Sequence, residues 1–207
     1  SEKIYVTTKL GRRVRGTDYP KGYKHGPMEE FIDRSLINLG IDCIDLLQLH
    51  CPPSEICSKK ETYGKLDTLV KKGKIAHYGV SVHKLSDAME AIKFPNVKSI
   101  QIVFNIFRQK PAEIFLKEAK KRNVAVIVRG PLASGLLTGT INEKTKFAEN
   151  DHRNYNINGD AFDVGDTFSG VNFKKGLKAV EKLKAFQMFE QKTGYIPPSR
   201  GRTFHPR

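Results

Sequence analysis

Short apolar runs along this chain alternate with amphipathic stretches, and the alternation keeps one order throughout. Ile44–Leu49 is almost continuously apolar, as expected of a parallel strand covered on both faces. It stops at His50, and Cys51-Pro-Pro ends it because proline cannot donate to a ladder. Period two puts Leu46, Gln48 and His50 on one face, with the imidazole at the strand's C-terminal end. Comparable runs are Ile4–Lys9, Ile75–Val80 ending at Ser81, Ser99–Phe104 and Val124–Val128. Between them the period lengthens to that of a helix. Pro27-Met-Glu-Glu opens a helix with Phe31, Ile32, Ser35, Leu36 and Leu39 on one stripe and Gly40 as its stop. A second runs from about Lys60 to Lys72, with Leu66, Leu69 and Val70 inward. Ser86-Asp87 caps a third that reaches about Lys93, with Ala88, Met89 and Ile92 available to a core. Pro111 starts a fourth through Arg122, turning Ile114, Phe115 and Ala119 inward.

One helix between each pair of strands predicts an α/β fold with a parallel sheet and right-handed crossovers. The five strands are three short of a closed (β/α)8 barrel, which typically takes about 250 residues; this chain has 207. From Thr140 to Asn172 no period is visible, so residues 140–172 read as a long loop or lid. Phe173 to about Lys192 is one more helix, with Leu177, Val180, Leu183 and Phe186 on its stripe. Residues 194–207 read as a basic, unfolded tail. The expected organisation is one partial barrel over residues 1–193 followed by that tail.

Composition changes this picture little. The formal charge is +14. It could attract a polyanion, but Lys71-Lys72-Gly-Lys74, Lys120-Lys121-Arg122 and Lys174-Lys175 stand at helix ends and are not interleaved with aromatics. Solvated ends, where cations suit the helix dipole, account for them better than a nucleic-acid surface. No run approaches the roughly 18 apolar residues of a membrane span. The N-terminus lacks a signal peptide's pattern, and three cysteines form no even framework, so a reducing cytoplasm is the expected compartment. Cys51 and Cys57 with His50, His77 or His83 do not have zinc spacing, and no metal site is expected. The chain starts without methionine and enters a strand almost at once, which suggests a missing upstream segment.

The strand ends carry the candidate chemistry: Lys9, His50, Ser81, Gln101 with Asn105, and Arg129. In a parallel barrel these converge on one mouth, the end where active sites are built. A single histidine at a strand end serves structure as readily as catalysis. Five polar ends in a row are harder to attribute to packing.

Thr7-Thr-Lys9, Ser35–Gly40, Ile44–His50, Gly73–Ser81, Gln101–Asn105 and Pro131-Leu-Ala-Ser-Gly-Leu-Leu-Thr-Gly139 resemble, in order, the segments of an aldo-keto reductase. The resemblance covers roughly residues 1–185 and is greatest to bacterial members with Arg129-Gly-Pro-Leu-Ala-Ser-Gly and Asp151-His-Arg-Asn-Tyr-Asn after the seventh strand. It implies an incomplete (β/α)8 TIM barrel containing strands 3 to 7 with their helices. It further implies a cytoplasmic oxidoreductase reducing small aldehydes or ketones with NADPH or NADH. Of the family's Asp, Tyr, Lys, His tetrad, Lys9 matches the lysine that lowers the tyrosine's pKa, and His50 matches the histidine that orients the carbonyl. The Asp and Tyr would precede the third strand; Tyr5 and Tyr19 are not substitutes by position.

By the same resemblance Ser81 and Gln101 hold the nicotinamide carboxamide, and Arg129 stands where many members stack an aromatic ring on it. Val82 replaces an asparagine common in the family. Pro131, Leu132, Ala133 and Gly135 belong to a loop along the pyrophosphate. His152 and Arg153 are candidates for closing a lid, although loop polarity explains them equally, and Phe162, Phe168 and Phe173 read as loop anchors. After Phe173 the family pattern departs, so the chain is expected to be truncated at both ends and weakly active. The rival reading is a non-catalytic basic fragment binding nucleotide, nucleic acid or a partner chain. Substrate identity and oligomeric state are not legible.

Overall fold

The chain forms five parallel strands: β1 Thr7–Leu10, β2 Ile44–His50, β3 Ile75–Ser81, β4 Val97–Val103 and β5 Ala125–Arg129. Their spatial order is their chain order. Crossovers of one hand between sequential neighbours leave every helix on the same face, as in a segment of a barrel and unlike a doubly wound sheet. This computed structural model describes residues 4–11 and 28–193. Tyr19, Pro27 and the 194–207 tail lie outside the described residues. The chain divides into two compact units, Ser1–Pro131 and Leu132–Arg207.

In the first unit the helices are α1 Met28–Leu39, α2 Ser54–Cys57, α3 Lys60–Lys71, α4 Leu85–Ala91, α5 Lys110–Glu113 and α6 Phe115–Lys121. Strand residues Leu47, Leu49, Tyr78, Val80, Ile100 and Ile102 share one buried cluster with Ile32, Leu66, Ala88, Phe115 and Ala119 from the helices. Each Leu, Ile, Val or Phe among them contributes about 1.5–3 kcal/mol on burial. Gly40 (φ +66°) and Gly73 (φ +72°) close α1 and α3, letting Ile41 N–H and Lys74 N–H reach back to Leu36 O and Leu69 O. Lys72 and Lys74 then meet Glu29 and Asp33 on α1, so this basic run is paired across two elements and is more than a solvated helix end.

Several predicted details differ. Ile4 and Tyr5 lie outside β1 and are exposed. The α4 cap is Lys84, not Ser86-Asp87; Leu85, packed on the core, starts the helix earlier than capping propensity suggests. The Pro111 helix is two pieces broken at Ile114 (φ −127°, ψ −49°). Ile114 is 59% exposed beside fully buried Phe115, because one residue is about 100° around a helix.

The second unit contains a short helix α7, His152–Tyr155, single turns at Leu136–Thr138, Val164–Asp166 and Phe168–Gly170, and α8, Phe173–Thr193. The predicted long loop is therefore punctuated by local structure. Asp151 caps α7 by accepting from Arg153 N–H, and Asn156 Oδ1 accepts from both Ala161 and Phe162 N–H. Phe168 is buried and packs on Phe173, centroids 5.0 Å apart. Along α8, Leu177 and Val180 are buried, whereas Leu183 and Phe186 are largely exposed. The predicted stripe thus buries only its first half among the described residues.

Candidate active site

Register fixes which strand-end residues are neighbours. One row across the sheet is Lys9, Gln48, Gly79, Ser99 and Ala125. The row two residues nearer the C-terminal ends is His50, Ser81, Gln101 and Ile127. Period two keeps both rows on one face. Lys9 and His50 are on adjacent strands at the same sheet end, their Cα atoms about 8 Å apart from strand spacing and rise. Lys9 is exposed, His50 and Gln101 are half-buried, and Ser81 is buried. The Lys9 side chain makes no hydrogen bond among the described residues. Beneath the rim, Gln48 Nε2 reaches over Gly79 to Ser99 Oγ at 3.3 Å. Its fully buried Oε1 has no partner among the described residues, and a donor arriving there would gain what an unsatisfied acceptor costs, about 1–3 kcal/mol.

Arg129 closes over the Ser81 end of this rim. Its Nη1 donates to Ser81 Oγ and to Cys51 Sγ, both at 3.1 Å, and its Nη2 donates to Val82 O at 3.4 Å. Nη2 is also 2.9 Å from His83 Nδ1; a guanidinium only donates, so this ring nitrogen accepts and the proton of a neutral imidazole is on Nε2. Ser81 Oγ in turn donates to Gln101 Oε1 at 3.0 Å. Asn105 Nδ2 donates to Gly130 O at 2.7 Å. It therefore fixes the turn after β5. Cys51 and His83 belong to this cluster and were not singled out for it by the sequence pattern. Their only signal was position, one and two residues beyond strand ends that carry His50 and Ser81.

The three thiols differ in acidity for physical reasons. Burial raises the Cys51 thiol, but a hydrogen bond with His83 and the nearby Arg129 charge outweigh it and bring it down to about 7. Cys57 is fully buried, and desolvation pushes it up to about 12. Desolvation also raises exposed Cys43, with the Asp45 charge adding to it.

Would a nicotinamide carboxamide fit this rim? Gln101 Nε2 has no partner among the described residues, so it offers a donor to a carbonyl oxygen. Ser81, by contrast, already donates to Gln101 and accepts from Arg129. Val82 is buried and presents only its carbonyl, to Arg129. The Nη protons of Arg129 are likewise committed, to Cys51, Ser81, Val82 and His83, so the donor this rim offers a carboxamide is Gln101 Nε2, oriented by Ser81.

In the second unit, the Leu132–Gly135 turn is left-handed over three successive residues: Ala133 (φ +48°), Ser134 (φ +55°) and Gly135 (φ +90°). Two of these carry side chains, at about 1–2 kcal/mol each, and such strain is concentrated at functional loops. Ser134 Oγ holds the turn by donating to Asp166 O (3.1 Å) and accepting from Phe168 N–H (3.2 Å). His152 Nε2 is 3.4 Å from the same hydroxyl. Arg153 makes a two-pronged pair with Asp151 and lies over the Phe147 ring, 4.5 Å from its centroid. These contacts hold α7 within its own unit. Leu132 is 53% exposed and Ala133 is buried; Pro131 ends the first unit and is exposed.

The chain is similar in sequence and fold to known proteins. The aldo-keto reductase yakc of Schizosaccharomyces pombe, named as NADP(+)-dependent, is 27% identical over 188 residues, covering 88% of this chain and 52% of that protein. The aldo-keto reductase YhdN of Bacillus subtilis is 30% identical over 182 residues, 88% of this chain and 52% of its own length. The chain thus spans about half the length of these curated relatives. The glycerol dehydrogenase structure from Gluconobacter oxydans superposes with a TM-score of 0.61 at 28% identity, over 92% of this chain and 56% of that one. The five parallel strands are accordingly part of a (β/α)8 barrel. The aldo/keto reductase family model matches residues 1–192, and the chain belongs to that family.

Proposed function

We propose that this chain carries the lysine–histidine half of a carbonyl-reducing site together with the nicotinamide end of an NAD(P)H groove. The observation that supports it most is register: Lys9, His50, Ser81 and Gln101 occupy one face of neighbouring strands at their C-terminal ends. When bound, a reduced nicotinamide supplies the hydride. His50 is proposed to orient a small aldehyde or ketone through its oxygen, and Lys9 to stabilise the charge that develops there. Gln101 would hold the carboxamide, oriented by Ser81 and Arg129, and so fix the ring face that is presented. The left-handed turn at Leu132–Gly135, with its small residues, suits a phosphate approaching main-chain N–H groups.

The test is fluorescence titration of the chain with NADPH, followed by turnover with a simple aldehyde. The expected results are saturable binding that Gln101→Leu weakens about tenfold or more, and aldehyde-dependent NADPH oxidation that Lys9→Met and His50→Gln suppress. Absence of saturable NADPH binding would overturn the reading.

A further inference from the structure

The cluster beside the rim does something the reductase reading does not require. Cys51 is the residue immediately after His50, held in a left-handed conformation (φ +50°) that a side chain adopts at a cost of about 1–2 kcal/mol. That conformation sets its sulfur 3.1 Å from Arg129 Nη1 and 3.6 Å from Ser81 Oγ. His83, which accepts from the same guanidinium, also hydrogen-bonds the sulfur. Of the groups grasped by Arg129 here (a hydroxyl, a carbonyl, an imidazole and a thiol), only the thiol can become an anion. Charge complementarity therefore falls on sulfur. Cys51 is 7% exposed, beneath Arg129 and His83, which are half-open to solvent; a small reagent can reach it where a bulky one cannot.

We propose that Cys51 is a modification site, the reactive thiolate of this chain, oxidised by hydrogen peroxide to a sulfenic acid that stays against the Arg129 guanidinium. The thiolate sulfur attacks one peroxide oxygen; the S–O bond forms, the O–O bond breaks, and hydroxide leaves and takes a proton from solvent. Sulfur loses two electrons and the peroxide gains them. His83 and the guanidinium favour the ionised sulfur, and the guanidinium then pairs with the sulfenate oxygen. The proposal stands on the cluster alone and holds whether or not the chain reduces carbonyls.

The chain supplies its own controls. Cys43 is exposed but its thiol is raised; Cys57 is fully buried and raised further. The folded protein is treated with hydrogen peroxide from pH 5.5 to 9.5 and quenched by unfolding in light iodoacetamide. It is then reduced and labelled with heavy iodoacetamide, and the peptides are read by mass spectrometry. At pH 7 heavy label at Cys51 is expected to exceed that at Cys43 by tenfold or more, with a rate midpoint near pH 7. Arg129→Met is expected to lower the Cys51 rate at pH 7 about tenfold, with circular dichroism reporting whether the fold is kept; His83→Gln supplies the same comparison if Arg129→Met unfolds. Label at Cys51 no greater than at Cys43, a midpoint at or above pH 8.5, or an unchanged rate in a folded Arg129→Met chain overturns the proposal.

Discussion

Replacing Gly79 with alanine tests how the floor of the site is built. Gly79 lies on β3 between Gln48 on β2 and Ser99 on β4, where the β3–β4 register shifts. The Gln48 amide crosses above it to Ser99 Oγ. A Cβ at this position falls well inside contact distance of Ser99 Oγ and Ser99 O, and 3.0 Å from the Ser99 carbonyl carbon. Rotating the hydroxyl away would break the Gln48 bond, worth about 0.5–1.5 kcal/mol. The carbonyl belongs to the ladder and cannot move without parting two strands, so overpacking of about 1–3 kcal/mol applies toward its upper end. The reduced freedom of the unfolded chain returns about 0.4–1 kcal/mol. The net expected loss is about 2–3 kcal/mol, or a fall of roughly 1 M in the urea midpoint if the slope is about 2–3 kcal/mol/M. Gly64 is the internal comparison: it is in helix α3 and an added Cβ meets nothing within 4 Å, so Gly64→Ala should raise stability by about 0.5–1 kcal/mol. A Gly79→Ala chain within about 0.5 kcal/mol of wild type would refute the reasoning.

Cys51 also couples stability to pH. Its folded value of about 7 is below the ordinary 9.0, so the unfolded chain binds more protons between those values. The stabilisation is complete above about pH 9 and is lost as pH falls through 7. Its ceiling is about 2–3 kcal/mol, read as the difference in urea stability between wild type and Cys51→Ser at pH 6 and pH 9. Tyr63 donates to Cys57 O at 2.8 Å and stacks on Phe94; Tyr63→Phe keeps the stack and should cost about 1–3 kcal/mol in the same assay by leaving a buried carbonyl unsatisfied. At the break between α5 and α6, Phe115→Ala should cost about 3–5 kcal/mol. Ile114→Lys should change stability by no more than about 0.5 kcal/mol, and a large effect at Ile114 would mean that it faces the core.

β2 was legible because burial imposes an almost continuous apolar run on it, and Ile44–His50 was bounded to the residue; β1 was less so, because Thr7–Leu10 buries only Leu10. The crossover order followed from one helix between successive strands. The break at Ile114 was not legible, because Pro111 and a helical period give no sign of a kink between two short pieces. Capping propensity at Ser86-Asp87 lost to burial of Leu85. Among candidate site residues, Lys9, His50, Ser81 and Gln101 were visible as polar ends, and parallel register brought them to one face. Arg129 was visible too, but its grip on Cys51 and His83 depends on how three strand ends turn, which no local pattern encodes. Likewise the left-handed run at Ala133 and Ser134 is held by Asp166 and Phe168, more than 30 residues on.

The central claim is that the rim of Lys9, His50, Ser81 and Gln101 receives a nicotinamide ring. It is tested most directly by following the Gln101 side-chain amide by NMR during titration with NADPH, and then with 2′-phospho-ADP-ribose, which lacks that ring. A saturable shift of the Gln101 amide with NADPH and none with the truncated nucleotide is the predicted result. No shift with either ligand, or the same shift with both, would contradict it.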